Sequence, residues 1–247
     1  MTNNHIHKPI ISFNNVNLSF KGREILKNLS FNIYPGEIVS VLGPSGTGKS
    51  TILRLISGLV KPDSGEITVN AKRFGMAFQH GALFNSMTIQ ENIALALEET
   101  TQMNYEEINE RVNEALEIVG LPNTADMYPK ELSGGMQKRI SIARALALHP
   151  EILLYDEPST GLDPATAAKL EEDMLALRDK IGLTSIVVTH DVDTVKHISD
   201  RVLILDKGNI VWKGTCIEFM EADSPYPCSF RERKTLEECG INSDENK

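Results

Sequence analysis

Cysteine is scarce in this chain of 247 residues: there are three, Cys216, Cys228 and Cys239, odd in number and without C-x-x-C spacing. Such a set offers neither a disulfide framework nor a zinc ligand pattern, and the reading it supports is free, reduced thiols. No apolar run approaches the roughly 18–20 residues needed to cross a bilayer. The polar stretch from Met1 to Pro9 also lacks the apolar centre of a secretory leader, so the chain is expected to stay in the cytoplasm. Positive charge is in deficit, with 25 Lys and Arg against 34 Asp and Glu and a formal charge of −9. That balance argues against nucleic acid as the main partner.

What is present is a regular alternation of strand and helix signals. From Ile10 to Ile33, apolar and polar residues alternate in short runs (Ile11, Phe13, Val16, Leu18, Phe20), which predicts antiparallel strands. Buried-strand runs follow at Ile38–Leu42, Ile152–Tyr155, Ser185–Thr189 and Val202–Leu205. From about Gly81 to Leu148 the period is helical, with Ile108, Val112, Ala115, Leu116 and Val119 on one face. A further helix opens with Asp163 as N-cap and Pro164 at its first position, carrying Leu170, Met174, Leu177 and Ile181. Strands alternating with helices predict an α/β fold with a mainly parallel central sheet, an N-terminal antiparallel β subdomain and an inserted helical block.

Between the strand ending at Leu42 and a helix starting near Ser50 lies Gly43-Pro44-Ser45-Gly46-Thr47-Gly48-Lys49-Ser50-Thr51. This is the P-loop pattern G-x-x-x-x-G-K-[ST] in the strand–turn–helix context that the pattern requires. The glycines let successive N–H groups converge on a phosphate, the helix N-terminus adds partial positive charge, and Lys49 brings a mobile cation to the β- and γ-phosphates. The Ser50 hydroxyl is a Mg²⁺ ligand by the same logic, and the stretch is read as the phosphate cradle of a P-loop nucleotide site that takes Mg²⁺. Asp156-Glu157 ends an apolar strand, where such sheets bind ligands. Asp156 is expected to hold Mg²⁺ through a water, and Glu157 to polarise the water that attacks the γ-phosphate. Leu132-Ser133-Gly134-Gly135-Met136-Gln137 places a Ser cap and two glycines at a helix start, a second anion-binding end in one chain.

Taken together, these motifs resemble the nucleotide-binding subunit of ATP-binding cassette (ABC) transporters, from roughly Ile11 to Gly214. GPSGTGKS at 43–50, Gln79 as the Q-loop, LSGGMQ at 132–137 as the signature, ILLYDE at 152–157, Ser159–Asp163 as the D-loop and His190 as the switch histidine carry the likeness. The resemblance implies an ATPase domain over 8–215, with about 81–148 as the inserted helical subdomain and 216–247 as a C-terminal extension. It further implies a head-to-tail homodimer in which Ser133, Gly134, Gly135 and Gln137 of one copy close over ATP held by the P-loop of the other. Gln79 would touch Mg²⁺ and the attacking water, His190 the γ-phosphate, and Asp163 the partner copy. Phe20 would stack on adenine, although Phe13 is a near neighbour of the same chemistry. Leu83, Phe84 and Met87 would floor a groove for a coupling helix of an integral membrane permease. The chain would then sit on the inner face of the cell membrane.

Gly81-Ala82-Leu83-Phe84 looks like the Mla and Mce lipid-trafficking branch of the family, which implies phospholipid transport and a lipid-binding periplasmic partner. The alternatives are an importer ATPase for a polar solute, a soluble cassette ATPase in a role such as iron–sulfur assembly, and a P-loop phosphotransferase, against which the signature stretch argues.

Overall fold

The computed structural model describes residues 8–77 and 82–240, and within them the chain divides into two compact units, Met1–Asn70 with Ile186–Lys247, and Ala71–Ser185. In the first, the alternating N-terminal segments become a hairpin. β1 (Ile11–Phe20) and β2 (Arg23–Ile33) pair antiparallel, with Ile11 opposite Ile33 and Phe20 opposite Arg23. Lys21 and Gly22 turn the chain at φ of 51° and 79°, the left-handed backbone that keeps strand twist through a two-residue loop. The inward residues Phe13 and Phe31 stack with ring centroids 4.4 Å apart. After β3 (Ile38–Leu42), buried throughout, the chain returns as β4 (Ser64–Val69) to the free side of β1, giving the order β2-β1-β4.

β3 belongs to a second, mainly parallel set. It lies between β7 (Thr184–Thr189) and β8 (Arg201–Asp206), parallel to β8, and β9 (Asn209–Thr215) closes that edge antiparallel. Full burial on both faces explains why neither β3 nor β7 carries a charged residue. Helix α1 (Lys49–Ile56) follows β3, and α6 (Val192–Ile198) follows β7. Downstream of β9, α7 (Cys216–Glu221) drives Phe219, fully buried, against Leu42, Val195, Val202 and Ile204. Arg231 of α8 (Pro225–Glu232) donates to the Phe219 and Ala222 carbonyls, both at 2.7 Å, so the segment after Cys216 is fastened to the core of this unit. The reading of three free thiols is corrected here: Cys228 and Cys239 form a disulfide, and Cys216 alone is free. The pair stands eleven positions apart in sequence, and the turn after α8 brings their Cα atoms to 6.1 Å, inside the ordinary bridging range.

The second unit pairs β5 (Phe74–Ala77) with β6 (Ile152–Asp156) in parallel and carries α2 (Ile89–Thr100), α3 (Tyr105–Ile118), α4 (Gly134–Leu146) and α5 (Pro164–Ile181). Thr88 and Asn104 open α2 and α3 with complete capping boxes. Gly75 lets α4 approach β5 closely, since a Cβ there would stand 2.7 Å from the Ala145 carbonyl oxygen. The α5 face holds at Leu170, Met174 and Leu177, which are buried, but Ile181 is 59% exposed because α5 ends there, at Gly182 in the left-handed conformation. Among the described residues, no helix is long and apolar enough to cross a membrane.

Candidate functional site

In the first unit the P-loop runs from β3 into α1. Gly46 and Gly48 lie at φ of 80° and 104°, and a Cβ at Gly48 would also press on the Leu26 side chain at 2.8 Å. Gly43 is tighter still, because its Cβ would sit 2.3 Å from the Leu205 carbonyl oxygen of β8. Pro44, Ser45 and Gly46 form the exposed crest of the loop, and the Thr47 hydroxyl donates to the Pro44 carbonyl at 2.9 Å. Lys49 is buried under that crest, its ammonium donating to the Gly43 and Pro44 carbonyls at 2.8 and 3.1 Å. Gly48 caps α1 without any side chain, so the first-turn N–H groups, with the Ser50 and Thr51 side chains beside them, face an end built for an anion. Phe20 ends β1 and is 44% exposed, whereas Phe13 is buried in its stack with Phe31. Of these two rings, Phe20 is the one with a face open to solvent. His190 is exposed at the end of β7, where the Asp191 N–H bonds the Thr189 hydroxyl at 3.0 Å to turn the chain into α6. Gln79 lies outside the described residues.

The second unit brings together Asp156, Glu157, the loop 158–163 and the start of α4. Asp156 ends β6 half-buried, and Glu157 follows, buried and at φ 50°. A non-glycine residue there stores about 1–3 kcal/mol of strain. Pro158, next in the chain, disfavours the ordinary helical backbone for its predecessor. The Thr160 hydroxyl donates to Glu157 Oε2 at 3.1 Å. Lys138, one turn into α4, donates to the Pro158 carbonyl at 2.8 Å and to the Thr160 carbonyl, so its ammonium holds the loop from beneath. Burial pushes the Lys138 ammonium below its usual range, and the nearby Glu157 charge works in the opposite direction.

Ser133 is the N-cap of α4, its hydroxyl accepting from the Met136 N–H at 3.3 Å. Its two glycines differ. A Cβ at Gly134 meets nothing within 4 Å, while one at Gly135 would lie 2.5 Å from Thr166 Cγ2. Asp163 caps α5, accepting from the Ala165 and Thr166 N–H groups at 3.1 and 3.0 Å and from the Thr166 hydroxyl at 2.6 Å. The Gln137 carboxamide donates to the Pro129 and Leu132 carbonyls at 2.9 and 3.2 Å, and so shapes the entry to α4. Lys138 and Thr166 were given no role by the sequence, and Thr160 was marked only as a member of the D-loop stretch. The one signal available was a lysine immediately after the signature, and its acceptors, two backbone carbonyls twenty or so positions away, leave no pattern in the chain.

Also in this unit, the predicted groove residues Leu83 and Met87 are half-buried and Phe84 is 51% exposed. A groove of about 490 Å³ between α2 and α3 is lined by Met87, Leu95, Tyr105 and Ile108, with Glu91 and Glu98 among its polar residues; Leu83 and Phe84 lie outside it. Asn92, fully buried, accepts from the Phe84 N–H at 2.7 Å and donates to the Phe84, Met87 and Thr88 carbonyls, fixing the turn that presents these residues.

Residues 26–160 match the protein family described as ABC transporter. Protein TRIGALACTOSYLDIACYLGLYCEROL 3, chloroplastic, of Arabidopsis thaliana is 40% identical over 90% of this chain and 73% of its own length. The sulfate/thiosulfate import ATP-binding protein CysA of Thermosynechococcus vestitus is 39% identical over 89% of this chain and 68% of its own. Relatives named as import ATP-binding proteins for methionine and for Fe(3+) ions stand at 39% and 38%. Among solved structures, cbiO1 from Clostridium perfringens, part of the ABC transporter complex cbiONQ, superposes with a TM-score of 0.80 at 27% identity over 95% of this chain and 100% of that one. The dimeric bacterial ABC transporter cassette MJ0796 gives 0.76 at 34% identity over 83% and 98%. The fold is thus that of an α/β P-loop cassette, and the chain belongs to the ABC transporter family as one of its ATPases.

Proposed function

We propose that this chain is the energy-coupling subunit of a membrane importer, working as a head-to-tail homodimer that closes on ATP and reopens on hydrolysis. The observation that carries this reading is the α4 start: Ser133 and Gly134 are exposed and Gly134 has open space around it, which suits a phosphate brought by a second copy. The dimeric MJ0796 cassette supports the same assembly. The P-loop of one copy binds the phosphates, with Lys49 released from its own loop carbonyls to meet them, and Phe20 takes the base. Glu157 accepts hydrogen bonding from the attacking water and orients it in line with the γ-phosphate, with His190 and Gln79 assisting.

The oxygen donors available, the Ser50 hydroxyl and the Asp156 carboxylate, are the chemistry Mg²⁺ takes. Among the described residues, no cluster of three or more His, Cys, Asp or Glu forms an all-protein cage, which suits an ion completed by substrate phosphates. When bound, Mg²⁺ neutralises charge on the β- and γ-phosphates. The groove at Met87, Leu95, Tyr105 and Ile108 receives the permease, and Glu91 and Glu98 favour a basic docking segment. In this reading the chain works on the cytoplasmic face of the membrane.

For cargo, the import names of relatives at 38–39% identity favour a polar solute over the lipid expected from Gly81–Phe84. Only part of that string, Ala82–Phe84, falls within the described residues. A phospholipid or other lipid cargo, with a lipid-binding periplasmic partner, is the second reading, favoured by the Arabidopsis relative that bears the name of a galactolipid. One variant tests both levels. Glu157→Gln is expected to bind ATP, lose turnover by about 10²–10⁴-fold and accumulate as a nucleotide-held dimer. Its co-purifying membrane partners then report the cargo class. Retained turnover would remove Glu157 from catalysis, and a permease accompanied by a lipid-binding protein would displace the polar-solute reading.

A further inference from the structure

We propose that Lys138 is a positioning residue for ATP hydrolysis, tying the first turns of the signature helix α4 to the backbone that carries Glu157. The contacts that make this tie, and the close packing beside it, all lie within the second unit. The Lys138 ammonium donates to the Pro158 carbonyl at 2.8 Å and to the Thr160 carbonyl, two acceptors that flank residue 159 and lie one and three residues beyond Glu157. Thr160, held by its carbonyl, in turn donates its hydroxyl to Glu157 Oε2 at 3.1 Å. At the other end of the same helical turns, Gly135 lies so close to Thr166 that a single methyl group would stand 2.5 Å from it, and Thr166 is locked by Asp163 through a 2.6 Å hydrogen bond.

Glu157 needs such support because it sits at positive φ ahead of a proline, a backbone that persists only where its surroundings over-determine it. A lysine suits the task. It carries three donors on one charge, so it serves two carbonyls at once and still places a positive charge near the Glu157 carboxylate. A glutamine or methionine at 138 could not do both. The physical consequence is that α4 and the Glu157 loop move as one piece. A phosphate arriving at Ser133 and Gly134 would therefore register at the carboxylate of the same chain, which belongs to the opposite ATP site in a head-to-tail dimer. This inference rests on the assignment of Glu157 as the group that orients the attacking water.

The test is steady-state ATP turnover by the purified full chain carrying Lys138→Met or Lys138→Arg, alongside Glu157→Gln and the double variant Lys138→Met/Glu157→Gln. Lys138→Met is expected to lower kcat by about ten-fold or more while KM for ATP stays within about two-fold, the signature of an interaction used in the transition state. Lys138→Arg, which keeps charge and donors, is expected to recover most of the loss. The double variant is expected to form the nucleotide-held dimer as readily as Glu157→Gln, because Lys138 acts on the carboxylate and not on ATP capture. Wild-type turnover in Lys138→Met, an equal loss in Lys138→Arg, a rise in KM that accounts for the defect, or a double variant that no longer dimerises would each overturn the proposal. So would a Lys138→Met chain whose circular dichroism shows it unfolded at the assay temperature while Lys138→Arg is folded and equally inactive. Turnover retained by Glu157→Gln alone would instead remove the assignment on which the proposal stands.

Discussion

An added methyl group at Gly43 would sit 2.3 Å from the Leu205 carbonyl oxygen, whereas one at Gly134 would meet nothing within 4 Å. Both glycines were marked by motif, yet packing inside the chain requires only the first. Gly43→Ala must displace β8 backbone, so it is expected to lower the thermal midpoint by several degrees, corresponding to about 1–3 kcal/mol. Gly134→Ala stands in the first turn of α4, where alanine is intrinsically the better helix former, and should leave the midpoint unchanged or raised. It is nevertheless expected to abolish ATP-dependent dimerisation, since in the proposed dimer that open space takes the phosphates held by the second copy. Calorimetry together with light scattering separates the two effects, and a Gly134→Ala chain that is unstable yet dimerises would reverse the assignment. Residue chemistry of this kind was half legible in the sequence. Pattern located the glycines, and of the two rings weighed from the resemblance for base stacking, Phe20 is exposed and Phe13 buried. Lys138 stayed invisible because its acceptors are backbone carbonyls, which every residue type supplies.

At the level of elements, the start of α5 was fully legible, because Asp163-Pro164 is a cap signal with a local cause. The Asp163 carboxyl is held below its ordinary value of 3.8, chiefly by the Thr166 hydroxyl and then by the Thr166 N–H. A depressed carboxyl pKa stabilises the folded state above the unfolded value and loses that contribution as pH falls through the lower folded value. Asp163→Asn keeps an acceptor but cannot titrate. It is therefore expected to lose a little stability at neutral pH, with the difference from the wild type vanishing as pH falls below about 4, so that the acid side of the profile flattens, as followed by denaturant unfolding. An unchanged acid slope would mean that other carboxylates govern it. By contrast, α7 and α8 could not be placed from sequence. They are six and eight residues long, too short for a helical period to show, and they pack through Phe219, fully buried with Trp212 edge-to-face at 5.8 Å, together with Met220, Tyr226 and Phe230. The Cys228–Cys239 bridge was missed for a related reason: spacing alone does not reveal which thiols a helix and a turn bring together.

For the whole molecule, the order of motifs made the α/β cassette legible, because strand, P-loop, signature and carboxylate pair each carry a local chemical reason for their place. Cargo was not legible, since the motifs here have nucleotide chemistry as their local reason and none of them contacts a transported molecule. The central claim is that the P-loop ending in Lys49 is completed by Ser133 and Gly134 of a second copy. It is tested most directly by mixing two inactive variants, Lys49→Ala and Ser133→Arg, each purified alone and without turnover. A head-to-tail heterodimer of the two contains one site with both parts intact and one with both parts lost, so the mixture is expected to regain ATP hydrolysis that neither variant shows by itself. Failure of every mixing ratio to restore turnover, with both variants folded, would contradict a site shared between two copies.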